Sequence, residues 1–129
     1  GRFTGLIVKG ALMQTYKGSC HCGSVTFSFP GPEIDQGLKC NCSICLRKGT
    51  PMSAFTIAPD EMKIDVKGDS LSLYQFGTKV ARHYFCNQCG IYPFHGTLRL
   101  PGHFRVNLGC VEGVDSLELP TKTFDGASL

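Results

Sequence analysis

The chain has 129 residues, 42% hydrophobic and 18% charged, with 13 basic and 10 acidic side chains and a formal net charge of +3. That length suits one domain around one core, and the scattered Lys and Arg lack the dense basic face of a dedicated nucleic-acid binder. No apolar run approaches the length of a membrane span, so nucleic acid and membrane are both set aside as partners.

Sixteen Gly and seven Pro imply many turns. Few windows could hold a long helix, so the expected class is mainly β with little helix. Residues 1–12, "GRFTGLIVKGAL", carry one Arg and a weak apolar stretch broken by Gly, Lys and Gly. That is not the pattern of a secretory leader. Met13 reads like a natural start, and residues 1–12 are expected to be an added or disordered extension to a single domain over residues 13–129.

After Met13, "TYKGSCHCGSVTFSF" reads as a short strand or turn, a Cys knuckle, and a strand over residues 24–29 with Val25, Phe27 and Phe29 alternating. Pro30, Gly31 and Pro32 are expected to end that strand. "KCNCSICLRKGTP" is a second Cys cluster with a helical turn around Ser43–Arg47. "MSAFTI" and "MKIDV" read as short strands on either side of the turn "APDE". The clearest hairpin pairs "SLSLYQF" with "KVARHYF" across Gly77-Thr78, with Leu71 and Leu73 on one face and Tyr74 and Phe76 on the other. "IYPFHG" and "HFRVNLG" read as two more strands joined around "TLRLPG", and the tail from Val111 as a helical turn or short strand that then frays. Phe55, Phe76, Phe85, Phe94 and Phe104 are expected in the core, with one or two free to wall a pocket.

Eight Cys is a high count for this length. In a secreted protein it would suggest disulfides; in the cytosol it suggests metal or redox chemistry. Cys-x-Cys and Cys-x-x-Cys place thiols too close together for pairing across long loops, so metal binding and a cytoplasmic location are expected. The thiols form four groups: Cys20 and Cys22; Cys40, Cys42 and Cys45; Cys86 and Cys89; and Cys110 alone. Two ligands do not hold a metal tightly, and tetrahedral zinc takes four. The first and third groups together make a closed four-thiolate site, tying the start of the domain to its late hairpin, which suits a structural role. Gly23 and Gly90 follow these pairs and let the backbone turn back to aim N–H groups at the sulfurs.

The middle triplet is left with three ligands. That is the count of a catalytic zinc, with one corner for water or a substrate atom. A substrate thiol is a natural fourth ligand for a soft site and would be held as its thiolate. A thiolate beside a Lewis acid is set up to meet a small electrophile such as an aldehyde. Cys110, or one of His21, His83, His95 and His103, could instead close the triplet into a second structural site. Cys110 reads more simply as a small hydrophobe in "VNLGCVEG". Iron–sulfur ligation is disfavoured because the usual ferredoxin spacings are absent.

Taken in order, "GSCHCGSVTFSF", "KCNCSICLRKG" and "HYFCNQCGIYPF" resemble the glutathione-dependent formaldehyde-activating enzyme family, over the stretch from Tyr16 to about Val114. The resemblance implies an Mss4-like fold, a zinc-stapled arrangement of antiparallel β-sheets. It implies a structural zinc on Cys20, Cys22, Cys86 and Cys89 and a catalytic zinc on Cys40, Cys42 and Cys45. It implies condensation of glutathione with formaldehyde to S-hydroxymethylglutathione, formally a carbon–sulfur lyase run in reverse, with a small thiol and a small aldehyde as partners.

Arg47 and Lys48 follow the triplet and are candidates to pair with a carboxylate of a glutathione-like ligand; Arg82 and His83 are weaker candidates of the same kind. His95 or His103 could serve as an acid–base group near an open zinc. The competing reading is a non-catalytic zinc module that carries glutathione or metal, or binds a protein. The fourth ligand of the triplet separates the two: a protein side chain there makes the site structural.

Overall fold

A computed structural model describes residues 7–8 and 11–128. Strands run in the order β1 (Ile7–Val8), β2 (Ala11–Leu12), β3 (Gln14–Ser19), β4 (Val25–Gly31) and β5 (Gly37–Cys40); after an α-helix, α1 (Ser43–Lys48), come β6 (Met52–Ser53), β7 (Lys63–Val66), β8 (Leu71–Tyr74), β9 (Arg82–Cys86), β10 (Phe94–Gly96), β11 (Phe104–Val106) and β12 (Thr121–Phe124). Single 3-10 turns cover Leu108–Cys110 and Gly126–Ser128. The protein is mainly β with little helix, as the Gly and Pro content implies. Residues 1–6, 9 and 10 of the expected extension lie outside the described residues; β1 and β2 pair with each other, Ile7 opposite Leu12.

Three sheets position the thiols. β3, β4 and β7 form one, with β4 central. Its Val25, Phe27 and Phe29 are buried, as period-two alternation requires of a strand with one face on the core. The strand continues through Pro30 and Gly31, two residues past the expected stop. β7 pairs with β4 only as far as Ser28, so beyond that point β4 has a free edge, where a residue without an amide hydrogen is tolerated.

The second sheet has the order β11-β10-β9-β8. The expected hairpin is present, but its loop is Gln75–Ala81 rather than a two-residue turn, since Tyr74 opposite His83 is the last pair. Phe76 therefore lies in the loop and is exposed, which corrects its assignment to the core; no strand covers it. Phe94 is fully buried, Phe55 and Phe104 pack against the core, and Phe85 is half-buried. The rings of Phe27 and Phe94 meet edge to face at 5.4 Å, joining the first sheet to the second.

The third sheet, β12-β5-β6, is mixed. β12 lies parallel to β5, Thr121 opposite Gly37 and Phe124 opposite Cys40. The tail therefore returns to the triplet before it ends. Isolated bridges stitch the layers: Ile57 with Phe104, Met52 with Asn107, and Gly18 with Val111.

Candidate functional site

All eight cysteines are free thiols, and seven of them gather in two groups. Cys20 and Cys22 occupy the turn between β3 and β4; Cys86 ends β9 and Cys89 lies in the turn after it. Their four sulfurs lie within 4.8 Å of one another. Cys22 Sγ is 3.7 Å from both Cys20 Sγ and Cys86 Sγ. A tetrahedron with bonds of about 2.3 Å sets its corners about 3.8 Å apart, so these thiols fit a metal with little movement. Amide groups point at the sulfurs: Val25 N–H to Cys20 at 3.4 Å and Gln88 N–H to Cys86 at 3.4 Å. Gly23 (φ 83°) and Gly90 (φ 81°) make the left-handed turns that allow this. Burial raises the Cys89 thiol, but amide hydrogen bonds around Ile91 outweigh it and bring the thiol down to about 6.

Cys40, Cys42 and Cys45 form the second group, their sulfurs again within 4.8 Å. Cys40 ends β5, Cys42 caps the start of α1, and Cys45 follows one turn later. The i, i+3 spacing brings Cys42 and Cys45 to one side of that turn. Among the described residues no His, Asp or Glu atom joins this group. Cys110 does not join the triplet; it is packed on the core near Cys20 and Cys89, whose charges help burial push its thiol up to about 11. An all-sulfur donor set in either group suits a soft or borderline ion, zinc among them.

Lys48 turns toward the triplet, its Nζ donating to Cys45 Sγ at 3.3 Å, and lies 5.1 Å above the centre of the Tyr92 ring. Arg47 turns back and donates from a guanidinium nitrogen to the Ser43 carbonyl at 2.8 Å. Burial pushes Cys45 up to about 11 against the pull of the Lys48 charge. Burial raises Cys42 as well, but the Cys45 amide and thiol and the Cys40 thiol hydrogen-bond it and hold it below the usual thiol range. A cavity of about 250 Å³ opens beside the triplet, lined by Lys39, Cys40, Asn41, Cys45, Thr50 and Thr123 among others.

Several of these contacts had no signal in the sequence. Asn41, between two of the triplet cysteines, donates its side-chain amide to Asp125 at 2.9 Å and accepts from the Ala127 N–H at 2.8 Å. Gly126 lies so close that a Cβ there would collide with Cys40 Sγ. The tail thus clasps the triplet from outside. Behind Lys48, Tyr92 Oη is 2.7 Å from His83 Nδ1, and His95 lies directly across the sheet from His83. Burial lowers both imidazoles, His95 to about 3, with the Lys48 charge the next cause. His21 is exposed beside the four-thiol group. His103 is half-buried, and its Nδ1 has no partner among the described residues.

Known proteins resemble this chain in sequence and fold. A crystal structure of a Rhodobacter sphaeroides protein superposes with a TM-score of 0.70 at 34% identity, covering 82% of this chain and 99% of that one. A Halomonas elongata protein named as a candidate glutathione-dependent formaldehyde-activating enzyme is 33% identical over 79 residues, 57% of this chain and 50% of that protein. The chain thus matches about half the length of that curated relative. The sequence profile of the family described as glutathione-dependent formaldehyde-activating enzyme matches residues 15–125, which includes both thiol groups. The chain belongs to the glutathione-dependent formaldehyde-activating enzyme family.

Proposed function

We propose that this protein is a zinc-dependent enzyme of the carbon–sulfur lyase type. It adds a small thiol, glutathione first among candidates, to formaldehyde or a related small carbonyl compound, or runs the reverse cleavage. The observation that carries this reading is the triplet: three thiols together, a cavity beside them, and no fourth protein donor among the described residues. The four-thiol group has its full complement and suits a structural zinc.

A zinc ion on Cys40, Cys42 and Cys45 would supply a Lewis-acid corner at which an incoming thiol is held as its thiolate. The chain's own groups do the rest. Lys48 puts a positive charge beside Cys45, where negative charge collects. Lys39 lines the cavity, within reach of a ligand carboxylate entering it. Arg47 is exposed, one turn from the triplet, and would meet a second carboxylate by releasing the Ser43 carbonyl. Free thiols throughout the chain are in keeping with a cytoplasmic location.

The test is a division of labour between the two groups. Cys42→Ser should leave a folded protein that has lost one of two zinc ions and all thiol-dependent activity. Cys89→Ser should fold poorly, because metal binding there is folding energy. Native mass spectrometry with and without glutathione, beside thermal unfolding, reads both; equal unfolding in the two variants would overturn the assignment.

A further inference from the structure

Polar groups in an otherwise apolar sheet call for an explanation, and His83 and His95 of the second sheet, with Tyr92 just before β10, are three that the reading above does not use. His83 is 6% exposed. Its Nδ1 meets Tyr92 Oη at 2.7 Å. His95, opposite His83 across the strands, has its ring centre 5.9 Å from those of His83 and Tyr92, tilted to the first and edge-on to the second, and its buried Nδ1 has no hydrogen-bond partner among the described residues. This cluster adjoins the triplet. Lys48 touches Cys45 with the same ammonium that lies over the Tyr92 ring, so one cation contacts both the aromatic side chain and the triplet.

The Tyr92 position is held by the backbone. Asn107 donates its amide to the Tyr92 carbonyl at 2.8 Å and accepts from the Thr50 hydroxyl at 2.6 Å. Thr50 lies two residues past the end of α1, so the segment carrying Cys45 and Lys48 and the segment carrying Tyr92 are tied through the Asn107 side chain. On the solvent side, Tyr74 and Phe76 stack against His83 and each other at 5.6–6.5 Å, partly shielding the imidazole from water.

We propose that the Tyr92 hydroxyl, oriented by His83, is the hydrogen-bond and proton donor to the carbonyl oxygen that becomes an alcohol when a thiol adds at the triplet. This rests on the function proposed above and names the group that chemistry lacks. The thiol gives up its proton to solvent on binding. A sulfur lone pair then forms the C–S bond, the C=O π pair moves onto oxygen, and the phenol proton follows it. Solvent returns a proton to Tyr92. Cleavage is the same path reversed. If His83 carries its hydrogen on Nδ1, it donates to the phenol oxygen and leaves the O–H free to turn toward the substrate. Burial raises the Tyr92 hydroxyl above its usual range, so it stays a donor at neutral pH.

The experiment is exchange NMR at equilibrium between glutathione and S-hydroxymethylglutathione, with the zinc-loaded chain, reading the rate above the uncatalysed background. Tyr92→Phe should lower that rate by about 10²–10³-fold, the usual loss for an oxyanion donor, with unchanged zinc content and unchanged thiol concentration at half-maximal rate. His83→Asn, whose amide can still donate to the phenol oxygen, should retain most of the rate; His83→Ala should not. A second readout needs no turnover and no variant. In protein labelled with ¹³C at tyrosine Cζ, the Tyr92 line should move on addition of S-hydroxymethylglutathione but not of glutathione alone. A Tyr92→Phe protein with full exchange rate, or an unmoved Tyr92 line, overturns the role of Tyr92 alone. No catalysed exchange by the wild-type chain overturns the proposed reaction, and this role with it.

Discussion

Gly126 is a glycine because Cys40 already fills the space its side chain would take. Nothing around it in "FDGASL" says so. Gly126→Ala must displace either the thiol or the tail; overpacking of this kind costs about 1–3 kcal/mol. The expected result is weaker metal binding at the triplet with the four-thiol group unaffected, checked by chelator competition on the intact protein. If both sites hold metal as in the wild type, the close approach does not matter. At the same scale, the thiol groups themselves were legible, because a metal constrains neighbouring ligands through local spacing. Lys48 reads in the sequence as a partner for a ligand carboxylate; its contact with Cys45, three residues back, was not legible there. Nor were Tyr92, Asn41 as a clasp, and Asp125, since each acquires its partner from a distant part of the chain.

Among the elements, β12 departs furthest from expectation. The tail was read as a turn or short strand that frays; it is a strand parallel to β5, followed by a 3-10 turn hydrogen-bonded to Asn41. A parallel partner so far along the chain leaves no local signature, because its hydrogen bonds are made only after the rest of the domain is in place. Ending the chain after Pro120 should therefore leave the first two sheets folded, with near-wild-type backbone circular dichroism, and release metal from the triplet first. Cobalt substitution followed by absorption spectroscopy would show it: one site titrating normally, the other weakened at least tenfold. The β8–β9 hairpin was legible in its strands but not in its turn, and the longer loop carries Phe76 out of the core and onto His83.

For the molecule as a whole, the four-thiol group acts as a staple. Cys22 and Cys86 are 64 residues apart and their sulfurs 3.7 Å. A cross-link closing a loop of that size removes about 4 kcal/mol of chain entropy from the unfolded state, a large share of the usual 5–15 kcal/mol stability of a domain. Chelation should accordingly lower the melting temperature sharply, with recovery on adding back zinc. Acid should act in the same direction: thiols must lose their protons to hold the ion, so stability due to the metal is present at neutral pH and lost as pH falls. Calorimetry across pH, with and without chelator, checks the sign. An apo protein as stable as the loaded one would show that the core, not the metal, holds the sheets together.

Composition, alternation and cysteine spacing by themselves determined the mainly β class, the buried face of β4 and the local grouping of the thiols into two pairs and a triplet, because all of these depend on contacts between near neighbours; that the two pairs meet across 64 residues is a tertiary fact. The tertiary structure alone decided that Cys110 stays apart from the triplet, that the tail returns to clasp it, and that Tyr92 and His83 stand behind Lys48. Those placements follow from which strands pair across most of the chain's length, and that choice is made by burial summed over the whole core rather than by any short run of residues.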